Sequence, residues 1–193
     1  MKKNNLAIAK IIIGICMMTA ALIGYIPEPE LMVEFSFMSN VTGGLALLID
    51  GILNLKGRSI PAVIHRNICA GLFIVFAVCM LSLTGAYHMN FKGAFFFIHV
   101  VFPLLYMLCY VFACDDSKGK TIRKLFASPV LMILYFVFDY ILGQCRGFFV
   151  YGFVEVEELS VLAGLIVLAS VYVLVFFISW GFLALNRKFR FMK

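Results

Sequence analysis

The chain has 193 residues, 64% of them hydrophobic and 13% charged, with a mean hydropathy of +1.05 and a formal net charge of +6. A soluble domain carries roughly a quarter charged residues, so this composition excludes one and implies an integral, multi-pass membrane protein. The apolar stretches are continuous rather than alternating, which selects helices over a closed barrel, the two architectures that satisfy their backbone in lipid.

Crossing ~30 Å of hydrocarbon takes roughly 20 apolar residues as a helix. In chain order, spans are predicted at about 6–26, 35–55, 64–84, 94–114, 127–144 and 159–185. The first follows Lys2-Lys3, yet its apolar run exceeds the roughly 7–15 residues of a signal peptide and reads as a retained helix. Short connections separate the spans: Pro27-Glu28-Pro29-Glu30, Lys56 to Pro61, Gly85 to Gly93 and Asp115 to Arg123. The segment CRGFFVYGFVEVEE precedes the last span, and its Phe148, Phe149, Tyr151 and Phe153 suit the membrane interface or a lid over it. The expected fold is all-α, a single six-helix transmembrane domain over residues 1–193.

Lys and Arg accumulate on the cytoplasmic side of a membrane protein. With the N-terminus inside, only Lys92 and Arg146 of the 16 basic residues fall outside, where Glu28, Glu30, Glu34, Glu155, Glu157 and Glu158 lie. Both termini are therefore expected in the cytoplasm. This topology accounts for the positive charge without a nucleic-acid partner and leaves anionic lipid headgroups as natural contacts. Cys16, Cys69, Cys79, Cys109, Cys114 and Cys145 show no metal-ligand spacing and read as small apolar residues. No metal or organic cofactor is implied.

Polar side chains in a bilayer usually face the bundle interior. In span two, Ser36, Asn40, Gly43, Asp50 and Asn54 fall within ~40° of one direction and Ser39 ~60° to its side. Thr42, ~120° away, is expected to bond a carbonyl of the preceding turn. In span four, His99, Pro103, Tyr106 and Tyr110 share a face that should meet the span-two stripe. Span five carries Asp139 one turn beyond Tyr135, with Ser128-Pro129 as its expected N-cap and N1 pair.

At 1.5 Å per residue, Ser36, Ser39, Asn40, His99 and Asp139 all lie within ~8 Å of the outer boundary. Asp50 and Asn54 belong to an inner layer. A hydroxyl and an imidazole at one depth suffice for nucleophilic acyl transfer, and lipid ester bonds sit near that depth. In this reading Ser36 is the nucleophile, with Ser39 its competitor. His99 is the base, Asn40 or a backbone N–H near Gly43-Gly44 supports the oxyanion, and Asp139 orients His99.

Three blocks, FSFMSN at 35–40, IHVVFPLLY at 98–106 and GFFVYGF at 147–153, resemble the androgen-induced and androgen-dependent tissue-factor-pathway-inhibitor-regulating proteins. This family of multi-pass membrane proteins includes bacterial relatives. The resemblance spans roughly residues 30–185 and implies a membrane-embedded hydrolase of fatty-acid esters. It also implies an intramembrane threonine nucleophile, whose place Ser36 takes, and a histidine at the place of His99. It departs at Ser36 and at Gly152, where the family usually has proline. The expected substrate is thus a lipid or fatty-acid ester, and the expected location the plasma membrane of a bacterium. Two other readings compete: a small proton-coupled transporter or channel relaying through His99, Asp139 and Asp50, and a non-catalytic membrane scaffold.

Overall fold

A computed structural model describes residues 3–82, 92–116, 121–150 and 160–190. Six helices among them are long and apolar enough to cross a membrane. We number them α1 (Lys3–Tyr25), α2 (Phe35–Leu55), α3 (Ala62–Ser82), α4 (Ala94–Ala113), α5 (Val130–Arg146) and α6 (Val161–Arg190). The protein is an all-α integral membrane protein of six spans. With an even number of crossings, the first and last helices begin and end on the same side, the basic end of the charge rule.

α1 and α2 form the most extensive helix pair. Glycine lets their backbones touch: a Cβ on Gly14 would lie 2.5 Å from the Gly44 carbonyl oxygen, and one on Gly51 2.7 Å from that of Ala7. Close approach through small residues is how membrane helices gain dispersion energy, because lipid supplies no hydrophobic drive between them. α3 packs against α2, α4, α5 and α6 and so forms the middle of the bundle. Met17, Leu47, Leu72 and Tyr106 meet in the core at 0% exposure. α6 contributes Val175, Phe182 and Leu183 to the core, while its Leu162, Leu165, Ile166, Phe177 and Trp180 face outward.

The predicted stripe of α2 is internal, with Ser36, Ser39, Asn40, Gly43 and Asp50 all buried. Thr42 bonds the Met38 carbonyl at 2.7 Å, as its off-stripe phase requires. The buried face of α4 meets that of α2, as expected: Asn40 bonds the Ile98 carbonyl, and Ala46 and Leu47 share a core cluster with Phe102 and Tyr106. Farther along, Tyr106 turns to His65 of α3, and Asn186 of α6 donates to the carbonyl of Tyr110. Ser128 does not cap α5. Pro129 holds the N-cap position, and the Ser128 hydroxyl is taken by Arg66 Nε at 3.0 Å.

α5 ends at Gly147, whose φ of +81° closes the helix with an N–H bond to the Gly143 carbonyl. A side chain would resist that left-handed conformation. The chain then folds back so that Phe149 covers Gly143, where a Cβ would lie 2.5 Å from the ring. Of the aromatics expected at this interface, Phe148 is exposed, whereas Tyr151 and Phe153 lie outside the described residues.

Candidate functional site

His99 sits in a break of helical regularity that its own sequence causes. Residues Phe97–Val101 form a π turn, in which Phe102 N–H bonds the Phe97 carbonyl five residues back. Pro103 explains it: proline lacks the N–H that would pair with the His99 carbonyl, and its ring would strike that carbonyl in a regular α-helix. Widening the helix by one residue relieves both, and π turns of this kind recur at functional sites. The His99 ring is buried, stacks on Phe95, and uses Nδ1 to donate to the Phe95 carbonyl at 2.9 Å. A carbonyl can only accept, so Nδ1 carries the proton and the neutral ring keeps its lone pair on Nε2.

Ser36 lies in the first turn of α2, within a triangle of oxygens. Its Oγ is 2.7 Å from the Tyr25 hydroxyl and donates at 3.1 Å to Glu34 Oε2, which also accepts the Tyr25 O–H at 2.6 Å. The connection before α2 is wound into a 3₁₀ turn at Pro29–Val33, and Glu34 N–H bonds the Leu31 carbonyl. Leu31 and Met32 pack on the cluster of Ala21, Tyr25 and Ile98. The rigid Pro27/Pro29 stretch thereby returns Glu34 over the end of α1.

Asn40 binds the two halves together. Its Nδ2 donates to the Ser36 carbonyl at 2.7 Å and to the Ile98 carbonyl at 2.9 Å, joining the helix of the hydroxyl to the helix of the imidazole. Both amide hydrogens are thereby spent, so Asn40 is a tie and not the oxyanion donor expected of it. The first-turn N–H groups of α2 stand at this level instead, at the helix's positive end. Ser39 is fully buried and its Oγ donates to the Ser36 carbonyl at 3.3 Å, an ordinary back-bond of a membrane helix. Of the two serines, only Ser36 has its hydroxyl among groups able to polarise it.

Asp139 belongs elsewhere. α5 packs on α3 and α6, and Asp139 Oδ1 accepts the Val150 N–H at 3.0 Å, pinning the turn after α5. Depth along a span does not fix azimuth in a bundle, and the group that accepts from His99 Nδ1 is the Phe95 carbonyl.

No family model matches this chain, and neither a curated protein nor a solved structure does.

A second polar layer, near the basic end, was largely missed from the sequence. Lys10 Nζ donates to Asp50 Oδ2 at 2.7 Å and to Asn54 Oδ1 at 3.1 Å, and Ile60 N–H donates to Asp50 Oδ1 at 2.9 Å. His65 Nε2 stands 3.2 Å from Asp50 Oδ2, off the line of a hydrogen bond, while its Nδ1 meets the Tyr106 hydroxyl at 2.8 Å. Beside it, Arg66 pairs with Asp116 and donates to Ser128 and the Lys124 carbonyl; Asp116 also accepts the Tyr110 O–H. Lys10, Asp50, His65 and Arg66 are at most 2% exposed. The signal that finds them is placement: Lys10 interrupts an apolar run, and His65-Arg66 lie inside a span instead of before it. Ionisable residues there are paired by default.

Proposed function

We propose that the protein is an intramembrane hydrolase of lipid-like esters, with Ser36 as nucleophile and His99 as general base and then acid. The observation that carries this reading is the convergence at one level of a buried hydroxyl, a buried imidazole with its lone pair on Nε2, and the Asn40 tie between their helices. Resemblance of the FSFMSN and IHVVFPLLY blocks to membrane-embedded ester hydrolases selects the same two residues.

In the reaction, Ser36 Oγ attacks the ester carbonyl carbon as its proton passes to His99 Nε2. The imidazolium then protonates the departing alcohol as the carbon–oxygen bond breaks, leaving an acyl-Ser36 ester. Water, deprotonated by Nε2, cleaves that ester, and the proton returns to Oγ. The positive end of α2 favours the negative charge that develops on the carbonyl oxygen.

Transport weighs less. A relay through His99, Asp139 and Asp50 would have to cross a layer in which Met17, Leu47 and Leu72 are fully buried and α1 and α2 touch backbone to backbone. Asp50 is held by Lys10 and Asp139 by Val150. A scaffold without chemistry would leave the π turn and the polarised Ser36 without purpose.

The test is covalent. Purified protein in detergent or nanodiscs is treated with a long-chain fluorophosphonate and the adduct mapped by mass spectrometry, alongside turnover of long-chain esters. Labelling at Ser36 is expected, lost in Ser36→Ala, with hydrolysis falling ~10²- to 10⁴-fold in His99→Ala, the usual contribution of general acid–base catalysis. Hydrolysis unchanged in both variants defeats the reading; an adduct on Ser39 moves it to the other serine.

A further inference from the structure

We infer that Tyr25 and Glu34 form a positioning pair for the Ser36 hydroxyl; the inference rests on the hydrolase reading of Ser36 and His99. Glu34 Oε2 accepts the Tyr25 O–H at 2.6 Å. Tyr25 has one hydrogen, and with it committed to the carboxylate, the 2.7 Å contact with Ser36 Oγ has the serine as donor. The direct Ser36 to Glu34 bond at 3.1 Å gives the serine hydrogen a second acceptor in the same group. Both arrangements anchor Oγ and leave lone pairs on it, and its hydrogen must turn from this pair to His99 Nε2 for the proton to transfer. An oxygen so anchored is placed for attack.

The tyrosine is itself fixed by packing. Its ring is fully buried, with ring centroids 5.1 Å from Phe37 and 5.6 Å from Phe95, and Phe95 stacks on His99. One aromatic cluster therefore registers the Ser36 side of the site against the His99 side. The pair reaches the site from α1 and from the turn before α2.

Tyr25→Phe keeps the ring and removes the hydroxyl; Glu34→Gln keeps an acceptor and removes the charge. Each is expected to lower kcat for long-chain ester hydrolysis by ~10- to 100-fold, the rate equivalent of one hydrogen bond to a charged group. KM and the melting temperature in detergent should stay near wild type. The double variant should be no worse than the more damaging single one, because the two side chains act as a unit. Fluorophosphonate labelling of Ser36 should slow in parallel. Full kcat in either single variant, or loss confined to KM and thermal stability, overturns the assignment while leaving Ser36 and His99 in place. A wild-type protein that carries no adduct on either serine overturns both readings, and an adduct on Ser39 alone overturns this one.

Discussion

Two polar layers lie ~15 Å apart along α2, taking Asn40 to Asp50 at 1.5 Å per residue, and they are built on opposite principles. Toward the basic end, Lys10 faces Asp50 and Arg66 faces Asp116, so each buried charge meets its opposite, and Asp50 is enclosed by Lys10, Asn54 and the Ile60 N–H. Toward the acidic end, the hydroxyls of Tyr25 and Ser36 meet one carboxylate, and the His99 ring, donating through Nδ1, keeps an acceptor nitrogen. A closed ion-pair network holds helices in place; the hydroxyls and imidazole of the other layer are the groups that the proposed hydrolysis would use.

Breaking the inner layer should have the largest effect on stability. Asp50→Ala leaves Lys10 as an uncompensated charge among four helices, for which the cost is about 3–5 kcal/mol. The check is thermal or denaturant unfolding in mild detergent. A loss of ester turnover per folded molecule, with stability intact, would erase the division between the layers.

The wall between the layers can be tested next. Gly44→Ala would place a methyl 2.7 Å from the Gly14 carbonyl oxygen and 2.6 Å from Met18 Cγ. Pushing α1 from α2 should cost about 1–3 kcal/mol, as overpacking does. Because Tyr25 rides on α1 and Ser36 on α2, turnover should fall along with stability. An increase in proton flux in proteoliposomes would instead show that the layers communicate.

The smallest effect is expected at Asp139. Asp139→Ala removes one hydrogen bond from the turn after α5, about 1 kcal/mol, and should leave hydrolysis per folded molecule unchanged. A drop as deep as that of His99→Ala would return Asp139 to the site as the group that orients His99.

Much of the fold was legible because it depends on local properties. Apolar length and the placement of charge yielded six spans, and α2 begins and ends at the predicted residues, Phe35 and Leu55. The last span runs to Arg190, beyond the expected 185, because Asn186 is buried against the carbonyls of Tyr110, Val111 and Cys114 and need not leave the helix. Helical phase identified Ser36, Asn40 and Asp50 as internal, and Pro103 was conspicuous beside His99. What phase could not supply was the neighbour. Lys10 reads as one more charge of the basic end until α1 lies against α2, and Glu34 as one more acidic charge until the 3₁₀ turn folds it over Tyr25.

The sequence by itself therefore determined a six-span helical membrane protein and the burial of Ser36, Asn40, Asp50 and His99. Burial of apolar length and the 3.6-residue period are written into each segment. Only the tertiary structure decided that Asn40 joins two helices, that Asp139 pins a turn, and that Tyr25 and Glu34 stand beside Ser36. Hydrogen bonds reach about 3 Å, and which groups come within that distance depends on how helices turn and tilt against one another, a property no single segment contains.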